Sequence, residues 1–154
     1  LIQSFSESAA DARRQGLPDP LPVRTHDRYD AAVTVMMRVV FLLFAEERGL
    51  LPSGELFEQG YGIAGELERL VARQTEESEE ALDATSLTWH RLLATSQALY
   101  QGASFENLRM PAYGGSLFDP ARFAFLTATN EQGTLAITVS DRVMLHVLVP
   151  RHRC

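Results

Sequence analysis

In residues 25–52 (THDRYDAAVTVMMRVVFLLFAEERGLLP), apolar side chains recur at helical spacing. Tyr29, Val33, Met36, Met37, Val40, Leu43 and Phe44 mark one face of a helix. The opposite face is hardly more polar, because Val35, Val39 and Leu42 fill it. A helix apolar nearly all round wants neighbours on most sides, so the pattern predicts a buried central helix over about residues 27–48. Thr25 or Asp27 is the expected N-cap, with Asp30 in the first turn. Gly49 and then Pro52 give the stop. Arg38 interrupts an apolar run already too short for the ~20 residues that cross a bilayer.

The remaining elements follow from the same patterning. Residues 1–15 form an amphipathic helix with Ile2, Phe5 and Ala9 on one side, ended by Gly16. Residues 17–23 (LPDPLPV) are an extended connector, since each proline pushes its predecessor out of helical geometry. Residues 53–62 are irregular, and 63–74 form a helix with Ile63, Leu67, Leu70 and Val71 inward. The acidic run 75–83 (TEESEEALD) reads as a solvated helix end or loop. A helix over 85–101 has Ser86 as its cap and Gly102 as its stop, with Trp89 packed inside. Residues 102–116 read as a loop with a tight turn at Gly114 and Gly115. Phe118-Asp119-Pro120 then predicts a short capped helix, stapled from Phe118 to Phe123. Residues 135–139 are a short extended stretch, and Ser140 caps a last helix over 141–149 that Pro150 ends.

The fold class expected is all-α: an irregular multi-helix bundle around the central helix, with little or no strand. The organisation expected is an N-terminal helix and proline-rich connector (1–24), a helical bundle domain (25–149) and a tail (150–154). A chain of 154 residues suits one domain burying roughly two-thirds of its unfolded surface. The first residue is Leu, which suggests a piece of a longer polypeptide, and no signal-peptide pattern opens it. The single cysteine, Cys154, closes no internal disulfide. Cytoplasm is the expected compartment, with no membrane partner.

Charge narrows the function. The net charge of −6 argues against a free-standing nucleic-acid binder, which needs a basic surface, but is compatible with a module of a DNA-acting enzyme. All fourteen basic residues are arginine. Glu46 and Glu47 face the negative end of the central helix dipole and need compensation, expected from ion pairing with arginines such as Arg48, Arg109 or Arg122. His26, His90, His146 and His152 are scattered, so local spacing assembles no metal site. No G-x-S-x-G elbow occurs. Gly60, Gly62 and Gly65 match G-x-G-x-x-G, but no strand pattern precedes them. No catalytic, cofactor-binding or metal-ligating residue is therefore assigned. Arg109, Tyr113 and Arg122 are the candidate contacts to DNA or a neighbouring domain.

Three segments in order, MRVVFLLFAEERGLLP (37–52), PAYGGSLFDP (111–120) and ITVSDRVMLHVL (137–148), resemble the helical segment of large single-chain restriction–modification enzymes. These are the type IIG-like adenine DNA methyltransferases, and methylases of phage-exclusion systems are similar. The resemblance implies a non-catalytic connector that links domains modifying or cleaving DNA. Its partners would be the methyltransferase core and other domains of the parent chain, and DNA through that parent. S-adenosylmethionine would be the parent's cofactor. The glycine-rich cofactor loop and the Asn/Asp-Pro-Pro-Tyr/Phe motif of the methylase are absent, Asp119-Pro120-Ala121 lacking the second proline. Without lysine, the chain lacks the usual acidic-plus-lysine nuclease site as well. The connector is thus expected to end just before the methylase core. The alternative is an independent helical protein–protein interaction module.

Overall fold

Small residues set where the longest helix meets its neighbours. In a computed structural model of the chain, α2 (Thr25–Glu47) lays Ala31, Ala32, Val35, Val39, Leu42 and Ala45 into the core. The structure describes residues 1–17, 19–22, 24–49, 62–101, 103–105, 108–110, 116–129 and 133–148, with backbone alone for 103–105, 108–110 and 116. Five further α-helices accompany α2 among these residues. They are α1 (Ile2–Arg14), α3 (Ala64–Glu76), α4 (Glu79–Asp83), α5 (Leu87–Gln101) and α6 (Asp141–Leu148). The fold is all-α. Its only described strands, β1 (Ala103–Phe105) and β2 (Leu108–Met110), pair antiparallel with Ser104 opposite Arg109.

The central helix is buried on one side only. The apolar pattern predicts burial on most sides, but Tyr29, Val33, Met36, Met37, Val40 and Phe44 are 38–63% exposed. The side expected to lie opposite them carries Val35, Val39 and Leu42 and is the one that packs. Apolar character alone does not discriminate the two faces. Residue size does, because alanine and valine let helix backbones approach while methionine and aromatics hold them apart. Leu43 and Phe41 lie between, partly buried against the core.

The ends of α2 also differ from expectation at one side. Its N-cap is Arg24, without a side-chain cap bond, and Asp27 is the first-turn acid. Asp30 instead faces His26 one turn back, at 3.1 Å. The C-terminus is as the sequence predicts: Gly49 has φ +69°, and its N–H donates to the Glu46 carbonyl. Pro52 and residues 53–61 lie outside the described residues, as do Gly60, Gly102, Tyr113, Gly114, Gly115, Pro150, His152 and Cys154.

α1 belongs to the same core. Phe5 is fully buried against Trp89 and edge-on to Phe125, while Ile2, expected inward, is exposed. Ser8 accepts from the Thr138 N–H and donates to its carbonyl, which pins α1 to the extended stretch before α6. The connector after Gly16 is tied down by the Arg28 guanidinium, which donates to the Pro22 carbonyl at 3.0 Å.

Elsewhere the pattern is met in part. α3 buries Ile63 and Leu70 but leaves Val71 exposed. The acidic run forms its own short helix, α4, because Ser78 accepts from the Ala81 N–H and Leu82 is fully buried. Arg142 holds its outer side, at 3.0 Å from Glu79 and 2.8 Å from Asp83. The expected helix after Phe118-Asp119-Pro120 is a turn followed by a 3₁₀ helix, Ala124–Leu126. The Asp119 carboxylate accepts from the Ala121 N–H two residues on, an Asx-type bond that favours a turn over a helix. The expected loop of residues 102–116 contains the hairpin and a 3₁₀ turn, Ser116–Phe118. At α6, Ser140 accepts from the Val143 N–H, the cap the sequence predicts.

Candidate functional site

The densest polar cluster lies where α3, α5 and α6 meet. Asp141 opens α6 and is fully buried. Its Oδ1 accepts the Thr88 N–H of the first turn of α5 at 3.0 Å. Its Oδ2 accepts from the Thr85 hydroxyl and from Arg73 Nη1, the latter at 2.9 Å. One carboxylate therefore sits at the positive ends of two helices at once. Burial by itself pushes the Asp141 carboxyl up, but the bonds from Thr85, Thr88 and Arg73 outweigh it, and the net direction is down. The N-terminal donor of α5 is thus capped by a residue from α6 and not by Ser86, whose hydroxyl lies against His90.

A second carboxylate, Glu66, adjoins this group. It pairs with Arg69 and with Arg91 Nη1 at 3.3 Å, and accepts from the Thr88 hydroxyl at 3.0 Å. Arg91 also donates to the Gly62 carbonyl at 3.2 Å. Burial lowers the Arg91 pKa, against the opposing attraction of Glu66. A cavity of about 260 Å³ opens beside these groups, lined by Glu66, Arg69, Arg73, Thr88, Arg91 and Asp141 among others.

This chemistry is that of a clamp. Both carboxylates accept from arginine and hydroxyl donors, and Asp141 also from a backbone N–H, an arrangement that fixes geometry. No buried side-chain nitrogen or oxygen among the described residues lacks a hydrogen-bond partner. Nor do three or more His, Cys, Asp or Glu residues converge there in a way that would hold a metal ion.

Arg38 makes a further buried polar contact. It is 5% exposed, and its guanidinium donates to the Leu117 carbonyl at 2.7 Å and the Asp119 carbonyl at 3.4 Å. Burial is the main cause lowering its pKa, with nearby Arg122 adding to it. About one turn later in the same helix, Phe41 meets Phe118 edge-on at 5.3 Å. The charge that interrupts the apolar run of α2 thus anchors the turn before Pro120. Its position in the sequence was the signal.

Glu46 answers the dipole question differently from expectation. Its carboxylate accepts from the Ile63 N–H at 3.1 Å and the Ala64 N–H at 2.9 Å, so the end of α2 caps the start of α3. Arg91, not one of the three arginines named from the sequence, adds a favourable charge nearby.

Of the candidate contact residues, Arg122 is exposed and lies over the Phe123 ring at 5.7 Å. Arg109 is in β2, with its side chain outside the description, and Tyr113 lies outside the described residues. The structure therefore does not bring these three together into a described site. A shallower cleft of about 580 Å³ runs between α1, the connector and residues 128–138, with Asp11 and Asp19 at its wall. Trp89 is fully buried and donates to the Ile137 carbonyl at 3.3 Å, a packing role. Among the described residues no helix is long and apolar enough to cross a membrane. No protein-family model, curated protein or solved structure matches the chain.

Proposed function

We propose that the chain is a non-catalytic α-helical connector of an adenine-specific DNA methyltransferase of the restriction–modification type. The observation that carries this reading is the convergence of the three segments that carry the resemblance. Arg38 and Phe41 of the first hold Leu117, Phe118 and Asp119 of the second. Ile137, Val139, Met144, Leu145 and Leu148 of the third join the same core. Shared residues that build one interior fit a scaffold better than a reaction centre. In this reading the parent enzyme, cytoplasmic, holds S-adenosylmethionine in its methylase core. Arg109, Tyr113 and Arg122 are, in the same reading, the proposed contacts to DNA or a neighbouring domain.

Two measurements test it. The reading frame around this segment should encode a glycine-rich cofactor loop and an Asn/Asp-Pro-Pro-Tyr/Phe motif. Calorimetric titration of the isolated chain with S-adenosylmethionine should give no binding heat. Tight cofactor binding by the chain itself, or a flanking frame without either motif, would overturn the connector. A second reading, an independent interaction module, is favoured by the exposed apolar face of α2. It predicts function from a frame that encodes no methylase at all.

A further inference from the structure

The outer face of α2 is a continuous apolar stripe. Tyr29, Val33, Met36, Met37, Val40 and Phe44 fall within ~100° of the helix circumference and run over four turns without a charge. Among the described residues these six supply most of the exposed large hydrophobic side chains; Ile2, Val71 and Leu87 are the others. Together they offer on the order of 500 Å² of apolar surface per copy, at the top of the range a monomer leaves bare. With a polar rim, that approaches the ~800 Å² per partner of a standard interface.

The order of residues along the stripe says what covers it. Reversed end to end about the point between Met36 and Met37, the stripe reads as itself. Tyr29 takes the place of Phe44, Val33 of Val40, and Met36 of Met37. From this we infer that the stripe is the seam of a homodimer in which α2 pairs antiparallel with α2 of a second copy across a twofold axis. Aromatic meets aromatic at both ends, valine meets valine inside them, and methionines fill the centre, where their flexible side chains adapt to each other.

Charge selects the antiparallel arrangement. The stripe is polar only at its ends, His26 and Asp30 at one and Glu47 and Arg48 at the other. Antiparallel pairing sets Glu47 opposite His26 and brings Arg48 toward the end that carries Asp30. It also opposes the two helix dipoles. Parallel pairing would set Glu47 against Glu47 and Arg48 against Arg48, with the dipoles aligned. Arg48 already lies over the Phe44 ring at 5.3 Å, so the aromatic end of the seam is lidded by a cation. The seam does not depend on the connector reading.

Sedimentation equilibrium of the full chain tests this, from about 1 µM to about 1 mM, the range of a moderate interface. The mass should rise from one chain to two and stop there, as a closed twofold requires. Val33→Lys and Val40→Glu should each weaken association at least tenfold with unchanged circular dichroism, since both sites face solvent. Position 33 of one copy meets position 40 of the other, so an equimolar mixture of the two variants should recover the dimer. A wild-type chain that stays monomeric throughout would overturn the proposal. So would a dimer indifferent to both substitutions, or a mixture that fails to recover. A chain monomeric alone that binds a separately produced methylase core through the stripe overturns the homodimer and leaves the connector standing.

Discussion

The two faces of α2 are both apolar and have opposite fates. The inner face carries Ala31, Ala32, Val35, Val39, Leu42 and Ala45, with Arg38 as its single charge. The outer face carries larger groups, Tyr29, Met36, Met37 and Phe44, and stays largely exposed. Small side chains permit the close approach that buries a helix within its own chain. Bulky, adaptable ones suit a surface that is covered by something else. Hydrophobicity distinguishes helix from loop here. Average side-chain volume separates the buried face from the exposed one, although Val33 and Val40 lie outside and Leu42 inside.

That contrast is most easily broken at Leu42, which is fully buried. Leu42→Ala should lower unfolding stability by about 2–5 kcal/mol in urea melts, through lost transfer energy and the cavity left behind. A loss under about 1 kcal/mol would mean that the inner face is not the packed one. Next comes Arg38→Ala, expected to cost about 2–4 kcal/mol because the Leu117 and Asp119 carbonyls lose their charged donor. Arg38→Lys should recover only part of that, since a single ammonium cannot reproduce the guanidinium fork.

Asp141 extends the comparison to pH. Its folded pKa is depressed, so it stabilises the fold at pH values above the unfolded carboxyl value of ~3.9. That contribution fades as pH falls through the folded value. Asp141→Asn should therefore cost about 1–3 kcal/mol at neutral pH, and the gap from wild type should close in acid. A gap constant from pH 7 to pH 2 would show that the carboxylate's charge is not what matters. The smallest effect belongs to the outer face: Val40→Ser, at dilutions where the chain is monomeric, should change stability by no more than about 0.5 kcal/mol.

Much of the helical frame was legible in the sequence. Gly16, Gly49 and Ser140 punctuate the chain as their local chemistry predicts. Phe5, Leu70, Leu92 and Trp89 lie inward as their spacing or size suggests. What was not legible depends on partners far along the chain. Thr88 finds its capping carboxylate at Asp141, and Ile63 finds its own at Glu46. Neither pairing leaves a local trace. The outer stripe is expected to be buried because the helix is apolar nearly all round, yet periodicity gives the angle between two faces of a helix and not how much of its circumference the rest of the chain covers.

The shared carboxylate at Asp141 has a further consequence, for the order in which the chain matures. α3 and α5 are synthesised well before α6, yet Arg73 and the first turn of α5 take their acceptor from it. Until that last described helix leaves the ribosome, the guanidinium and the Thr88 amide lack this acceptor, and the Glu66 carboxylate, with Thr88 and Arg91, is what joins the two earlier helices. Assembly of this corner is thus timed by translation of its final residues, and a chain cut short before Asp141 would present a loosened junction to proteases.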